Sequence, residues 1–411
     1  MNRTFDENLQ LYAELILREG LGLAQGQELI VVAEIDQAPF VRLIAREAYR
    51  MGSKNVEVLW QDSQTTLIRF EEGSEEALRY APAWLIDGIV EGHRNNAARL
   101  GILSNDPNLL APIEPQKVAI SSRAQSLARK EISNLIATNH VNWCLVGAAS
   151  PEWAQRVFPD LPQEEAVSRL WQAIFATSRV LEEDPLAAWH LHRDTVRKRK
   201  DWLNSLRLDH LRFQGPGTDL TVGLVKNHIW IGVESTMKNG VTCSPNIPTE
   251  EIFTMPDRTR VDGRVTSSKP LSLRGQIIDG IEVTFSNGEA IHARARSGEE
   301  SLLQLLATDD GSKRLGEVAL VPNSAITAKV GILFYNTLYD ENAASHIALG
   351  GCYGENLEGY NEMGAEERLK AGANDSLIHV DWMIGSGEMN VDGVTDDGRS
   401  IPIMRAGEWV S

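Results

Sequence analysis

Four short stretches in the second half of the chain gather side chains that can bind metal ions or move protons. They are "NIPTEEIFTMP" with Glu250 and Glu251, "RLGEVALVP" with Glu317, "YDENAASHIALG" with Glu341 and His346, and "HVDW" with His379 and Asp381. In the last, alternation along a strand sends His379 and Asp381 to one face while Val380 and Trp382 pack on the other. An imidazole and a carboxylate withdrawn from water must be hydrogen-bonded, ion-paired or bound to a metal. Glu317 stands alone between Leu315 and the apolar run Val318–Val321, so its carboxylate also needs a cation. Two histidines with several carboxylates suit divalent ions such as zinc, cobalt, manganese or magnesium. Two such ions about 3.5–4 Å apart polarise a carbonyl and turn water into a nucleophile near neutral pH, which is the chemistry of hydrolysis.

Taken singly, each residue also has a plainer reading. His379 and Asp381 could form a structural pair, Glu250 and Glu251 could be surface acids on a loop, Glu317 could cap or salt-bridge, and His346 could be a satisfied helix histidine. Asp340 and Glu341 precede His346 near an expected helix start, where an acid can serve the helix N-terminus, so neither is placed among the ligands. Together the four stretches weaken the plain readings.

The elements that must position these residues follow from the texture of the chain. In the first half, strand-like "GQELIVVAE" (26–34) and "NVEVLW" (55–60) flank a helical "APFVRLIAREAYRMG" (38–52), an order that predicts α/β structure with a parallel sheet. "AWLIDGIVEG" (83–92) and "VNWCLVGAAS" (141–150) extend the strand series, with helical patterns at 116–137 and 163–206. No glycine-rich phosphate fingerprint follows any strand. From about residue 208 strands and tight turns dominate, including a hairpin through Asn287-Gly288 and a helix at "SGEESLLQLLATD" with Ser297 as cap and Glu300 completing a capping box. The expected architecture is a βα-alternating N-terminal domain over 1–207 and a mixed, largely antiparallel α/β catalytic domain over 208–411.

Composition bounds the partners. A chain of 411 residues exceeds what one hydrophobic core usually serves, which favours two domains. Forty basic against fifty-seven acidic residues give a net charge of −17, which argues against nucleic acid. The one basic run, "RDTVRKRKDW" (193–202), reads as a solvated helix face. Three scattered cysteines form no CxxC pair and suggest no disulfide framework. Met1 leads into a polar helical pattern and no stretch has 18 consecutive apolar residues, so the expectation is a cytoplasmic protein without a membrane span.

As a set, in order and spacing, "NIPTEEIFTMP", "RLGEVALVP", "LYDENAASHIALG" with "YGENLEGY", and "SLIHVDWMIGS" resemble the thermophilic-aminopeptidase-type metallopeptidases. The resemblance covers the whole chain and is most specific in its second half. It implies a cytoplasmic, homodimeric exopeptidase that holds two divalent ions, is activated by cobalt, zinc or magnesium, and releases N-terminal amino acids from peptides. Carried over by position, it makes Glu251, Glu317, His346, His379 and Asp381 the metal ligands and matches Tyr353 to the family's active-site tyrosine. Glu251 is taken as the ligand of the "TEE" pair and Glu250 as a second carboxylate for proton transfer, because adjacent strand residues point to opposite faces. His379 and Asp381 then offer an imidazole and a bridging carboxylate to the metal pair. Another metal-dependent amidohydrolase, a phosphoesterase, or a metal-stabilised binding protein without turnover are the competing readings. A phosphoesterase would want a basic residue beside the metals, and only Arg314 lies near the four stretches.

Overall fold

The structure, a computed structural model, describes residues 3–410; Met1, where the opening polar pattern begins, lies outside them. The first helix, Phe5–Leu15, is capped by Thr4, whose hydroxyl accepts from the Glu7 N–H while the Glu7 carboxylate reaches back to the Thr4 N–H. The first half then builds a parallel sheet in the spatial order 55–61, 28–34, 98–103, 143–147. The Glu28–Glu34 strand is buried along most of its length, as a parallel strand covered on both faces must be. A fifth strand, Asn246–Ile247, comes from beyond residue 207 and pairs with the 143–147 strand. The core is likewise continuous from Tyr12 in the first half to Met404 in the second.

Two expectations are corrected. The segment at 83–92 belongs to a helix, Ala83–Arg94, and the strand lies just after it at Ala98–Leu103. Its buried residues Ile86, Val90 and His93 follow helical spacing, and Gly92 obscures the signal for a packing reason: a Cβ there would meet Ile30 Cδ1 at 2.9 Å. Ser297 does not cap the helix after the hairpin. Its backbone bridges to Asp279, so the helix Glu299–Leu306 starts from Gly298, which takes a φ of 72°.

The second half holds an eight-stranded antiparallel sheet in which the Asn287-Gly288 hairpin forms as expected. Beside it lies a four-stranded antiparallel sheet in the order 252–254, 315–320, 346–350, 379–383. Each of the four motif stretches contributes to one strand of this small sheet. On the helix Pro185–Leu206, Arg193 pairs with Glu19 and Arg197 with Glu234 and Asp194. Among the described residues no helix is long and apolar enough to cross a membrane.

Candidate metal centre

Register across the small sheet brings the motif residues together. Glu317 pairs with Ala348, which pairs with Asp381, and Gly350 pairs with His379, so these positions share one face. His346 lies two residues before Ala348 on that face. Small side chains at Ala348 and Gly350 leave room between the larger groups. Phe253 faces Ala319, so alternation also turns Glu251 toward this face and Glu250 away from it. His346 opens a strand and is no helix histidine.

The geometry is that of two ligand triads sharing one member. Glu251, Glu317 and His346 form one, and Glu317, His379 and Asp381 the other; within each, the ligand atoms lie within 4.8 Å of one another. Glu317 Oε1 is 3.5 Å from His346 Nε2, and its Oε2 is 3.5 Å from His379 Nε2. Glu317 is thus the carboxylate common to both triads. Asp381 Oδ1 lies 3.5 Å from His379 Nε2.

Both rings turn Nε2 toward the cluster. His346 donates from Nδ1 to the Ala344 carbonyl at 3.0 Å and His379 from Nδ1 to the Gly351 carbonyl at 2.6 Å, which leaves each Nε2 lone pair facing the cluster. Sequence offers no means of naming these carbonyls. His346 Nε2 and Glu251 Oε2 are 2.8 Å apart, yet both, with Asp381 Oδ1, are buried without a hydrogen bond. Atoms so close and so misaligned converge on a common point instead of on each other. Unpartnered buried polar atoms are rare, and a cation at that point would satisfy them.

The electrostatics make the same demand. Burial, reinforced by the charges of Asp381 and Glu251, raises the Glu317 carboxyl to about 7 although His346 and His379 lie beside it. Burial alone would lower His379, but Asp381 and then Glu317 lift it to about 10. His346 is raised by Glu251 and Glu317 against the same effect of burial. Negative charge is packed here beyond what two imidazoles neutralise, and divalent cations fit the donor set.

Three further residues complete the description. Of the two acids Asp340 and Glu341, either of which could serve a helix terminus, Glu341 lines the cavity over the cluster; burial, then Asp381 and Glu251, push its carboxyl well above the usual range. Its neighbour Asp340 takes the local role, accepting the N–H groups of Phe334 and Asn336. Tyr353 stands edge-on to His379, ring centroids 4.8 Å apart, and burial together with the cluster's carboxylates keeps its hydroxyl protonated. Glu250 points away: its Oε1 accepts from Arg179 Nη2 at 2.7 Å in a buried ion pair, and it lines no part of the cavity. Arg314 also turns away, donating to the carbonyls of Arg258 and Asn287.

The cluster lies between two spaces. An inner cavity of about 60 Å³ reaches past Glu251, Glu317 and His346 to Val233, Ser235 and Glu355. An outer cleft of about 600 Å³ runs from Glu341, Tyr353, His379 and Asp381 past Leu103, Leu145 and Arg274. Trp143 and Asn246 of the parallel sheet touch both, so this sheet contributes wall to each space, Trp143 coming from the first half of the chain.

A buried, carboxylate-rich pair of ligand triads beside a cleft of this size defines a metal-dependent hydrolase. Residues 5–409 match the model of the thermophilic metalloprotease (M29) family, and the chain belongs to that family. It is 48% identical to Aminopeptidase T of Thermus aquaticus over 99% of both chains, and 42% identical to Aminopeptidase 2 of Geobacillus stearothermophilus over 100% of this chain and 99% of that one. The solved structure of wild-type AmpT from Thermus thermophilus superposes with a TM-score of 0.91 at 47% identity, covering 99% of this chain and 100% of that one. The chain is a metal-dependent aminopeptidase.

Proposed function

We propose that the enzyme works with two divalent ions, zinc, cobalt or magnesium, held by Glu251, Glu317, His346, His379 and Asp381. The observation that carries this reading is the position of Glu317, whose two oxygens address different histidines and make it common to both triads. When bound, the ions supply Lewis acidity, polarising the scissile carbonyl and making water a nucleophile near neutral pH. The remaining steps belong to the chain's own groups. The Tyr353 hydroxyl donates a hydrogen bond to the oxygen that gains charge as the carbonyl is attacked. Glu341, which faces both the inner cavity and the cleft, accepts the proton of the attacking water as its carboxylate and hands it to the leaving amine. Glu250 takes no part in proton transfer; its ion pair with Arg179 anchors the segment that presents Glu251.

The N-terminal residue of a peptide enters the small inner cavity and the remainder lies along the larger cleft, an arrangement that supports removal of one residue at a time. We infer a homodimeric, cytoplasmic enzyme from the family resemblance; sedimentation at micromolar concentration tests the assembly. Metal titration into stripped protein tests the ligand set. Two ions should bind per chain in the wild type, and Glu317→Gln should weaken both sites, whereas loss of only one ion in that variant would remove Glu317 from its shared role.

A further inference from the structure

The inner cavity contains a carboxylate that the chemistry above leaves unused. Glu355 follows Tyr353 by two residues, in the short turn Gly354–Asn356, and lines the same cavity as the metal ligands. Its Oε1 accepts from Ser235 Oγ at 3.0 Å and its Oε2 from Asn139 Nδ2 at 2.7 Å. Both donors are neutral, and among the described residues it makes no ion pair. Burial raises its carboxyl above the usual range. A buried carboxylate held in place by two neutral donors keeps further lone pairs free and lacks a counter-charge. Glu355 bonds Ser235 and Asn139 and none of the ligands, and it lines the inner cavity without reaching the outer cleft, whereas Glu341, Tyr353, His379 and Asp381 line both, which sets it apart from the ligands at another part of the cavity. Beside its polar groups the cavity has apolar wall from Trp143, Val233, Pro245 and Phe253.

We propose that Glu355 is a specificity-determining residue that receives a cationic side chain of the substrate's N-terminal residue, lysine being the type. The α-amino group, bonded to the carbon next to the scissile carbonyl, must stay beside the cluster, so a carboxylate set apart from it meets the side chain. An aliphatic stem lies along the apolar walls and the terminal ammonium bonds Glu355. A cavity of about 60 Å³ holds roughly four to six waters, comparable to the five heavy atoms of a lysine side chain.

This inference rests on the proposed placement of substrate, and its test is a ratio measured within each enzyme. Lysyl and norleucyl dipeptides differ only by the terminal ammonium. The wild type should favour the lysyl peptide in kcat/KM by about tenfold or more, the size expected of a hydrogen bond to a charged group. Glu355→Gln should bring that ratio to one or below. A wild-type ratio near one, or a ratio that survives in Glu355→Gln, overturns the proposal. Should the Gln variant not fold, Glu355→Asp withdraws the charge by one methylene and should lower the ratio; an unchanged ratio there is equally fatal. Failure of the two-ion reading would show separately, as norleucyl hydrolysis that survives complete removal of metal.

Discussion

Glu250 and Glu251, neighbours in the chain, send their carboxylates to opposite sides of the segment: Glu251 Oε2 lies 2.8 Å from His346 Nε2 in the cluster, while Glu250 Oε1 lies 2.7 Å from Arg179 Nη2 behind it. One residue faces the chemistry and the other fixes its support. Glu251→Gln should therefore reduce bound metal, and kcat should fall with occupancy. Glu250→Gln should keep its metal and lose stability by about 3–5 kcal/mol, the usual consequence of leaving one half of a buried ion pair unmatched. Metal per chain and denaturant midpoints of the two variants separate these outcomes; metal loss in Glu250→Gln with full occupancy in Glu251→Gln would reverse the assignment.

Tyr353 is read as a donor to the developing oxyanion. Tyr353→Phe keeps the ring against His379 and removes only the hydroxyl, so kcat should drop by roughly 10²–10³ with metal content unchanged. A variant with wild-type kcat would leave the tyrosine a packing role.

Ala348 sits in register between Glu317 and Asp381. Ala348→Leu would put a branched side chain between the two carboxylates and spread the triads. Metal affinity should fall by at least about tenfold, as it does when the supports of a ligand are disturbed. Calorimetric titration checks this, and unaltered binding would show that the row does not set the spacing.

His192, which bonds the segment behind Glu251 and lies 3.9 Å from Glu250, supplies a pH dependence of stability. Its Nε2 donates to the Thr249 carbonyl at 2.7 Å, and burial, then the charge of Arg179, lower it from 6.5 to about 3. The unfolded chain therefore binds more protons than the folded one between those values. Stability should be full above pH 6.5 and decline as pH falls toward 3. Urea midpoints across pH 4–7 should slope less in His192→Gln, which keeps the donor to Thr249 but does not titrate; equal slopes would contradict the assignment.

The period-two pattern of "HVDW" made the pairing of His379 with Asp381 legible, because one face of that strand is buried. A lone carboxylate in the apolar run around Glu317 was equally visible, for burial of a charge is costly wherever the sheet sits. Register is not local information, however. That Glu317 is shared between the triads depends on its pairing through Ala348 to Asp381, and that His346 begins a strand depends on partners on both sides. Sequence alone names Glu341 but leaves it out of the ligand set, because a short helical turn next to Asp340 looks like any helix start; only the tertiary fold separates the acid that caps the loop from the one that lines the cavity.

The account stands on two ions acting in one cluster, and metal content measured alongside peptide release tests it most directly. Protein as purified should carry two divalent ions per chain, lose release of N-terminal residues when stripped by chelator, and recover it on addition of cobalt, zinc or magnesium as the second site fills. Full activity in a metal-free preparation, or full recovery with a single ion per chain, would contradict it.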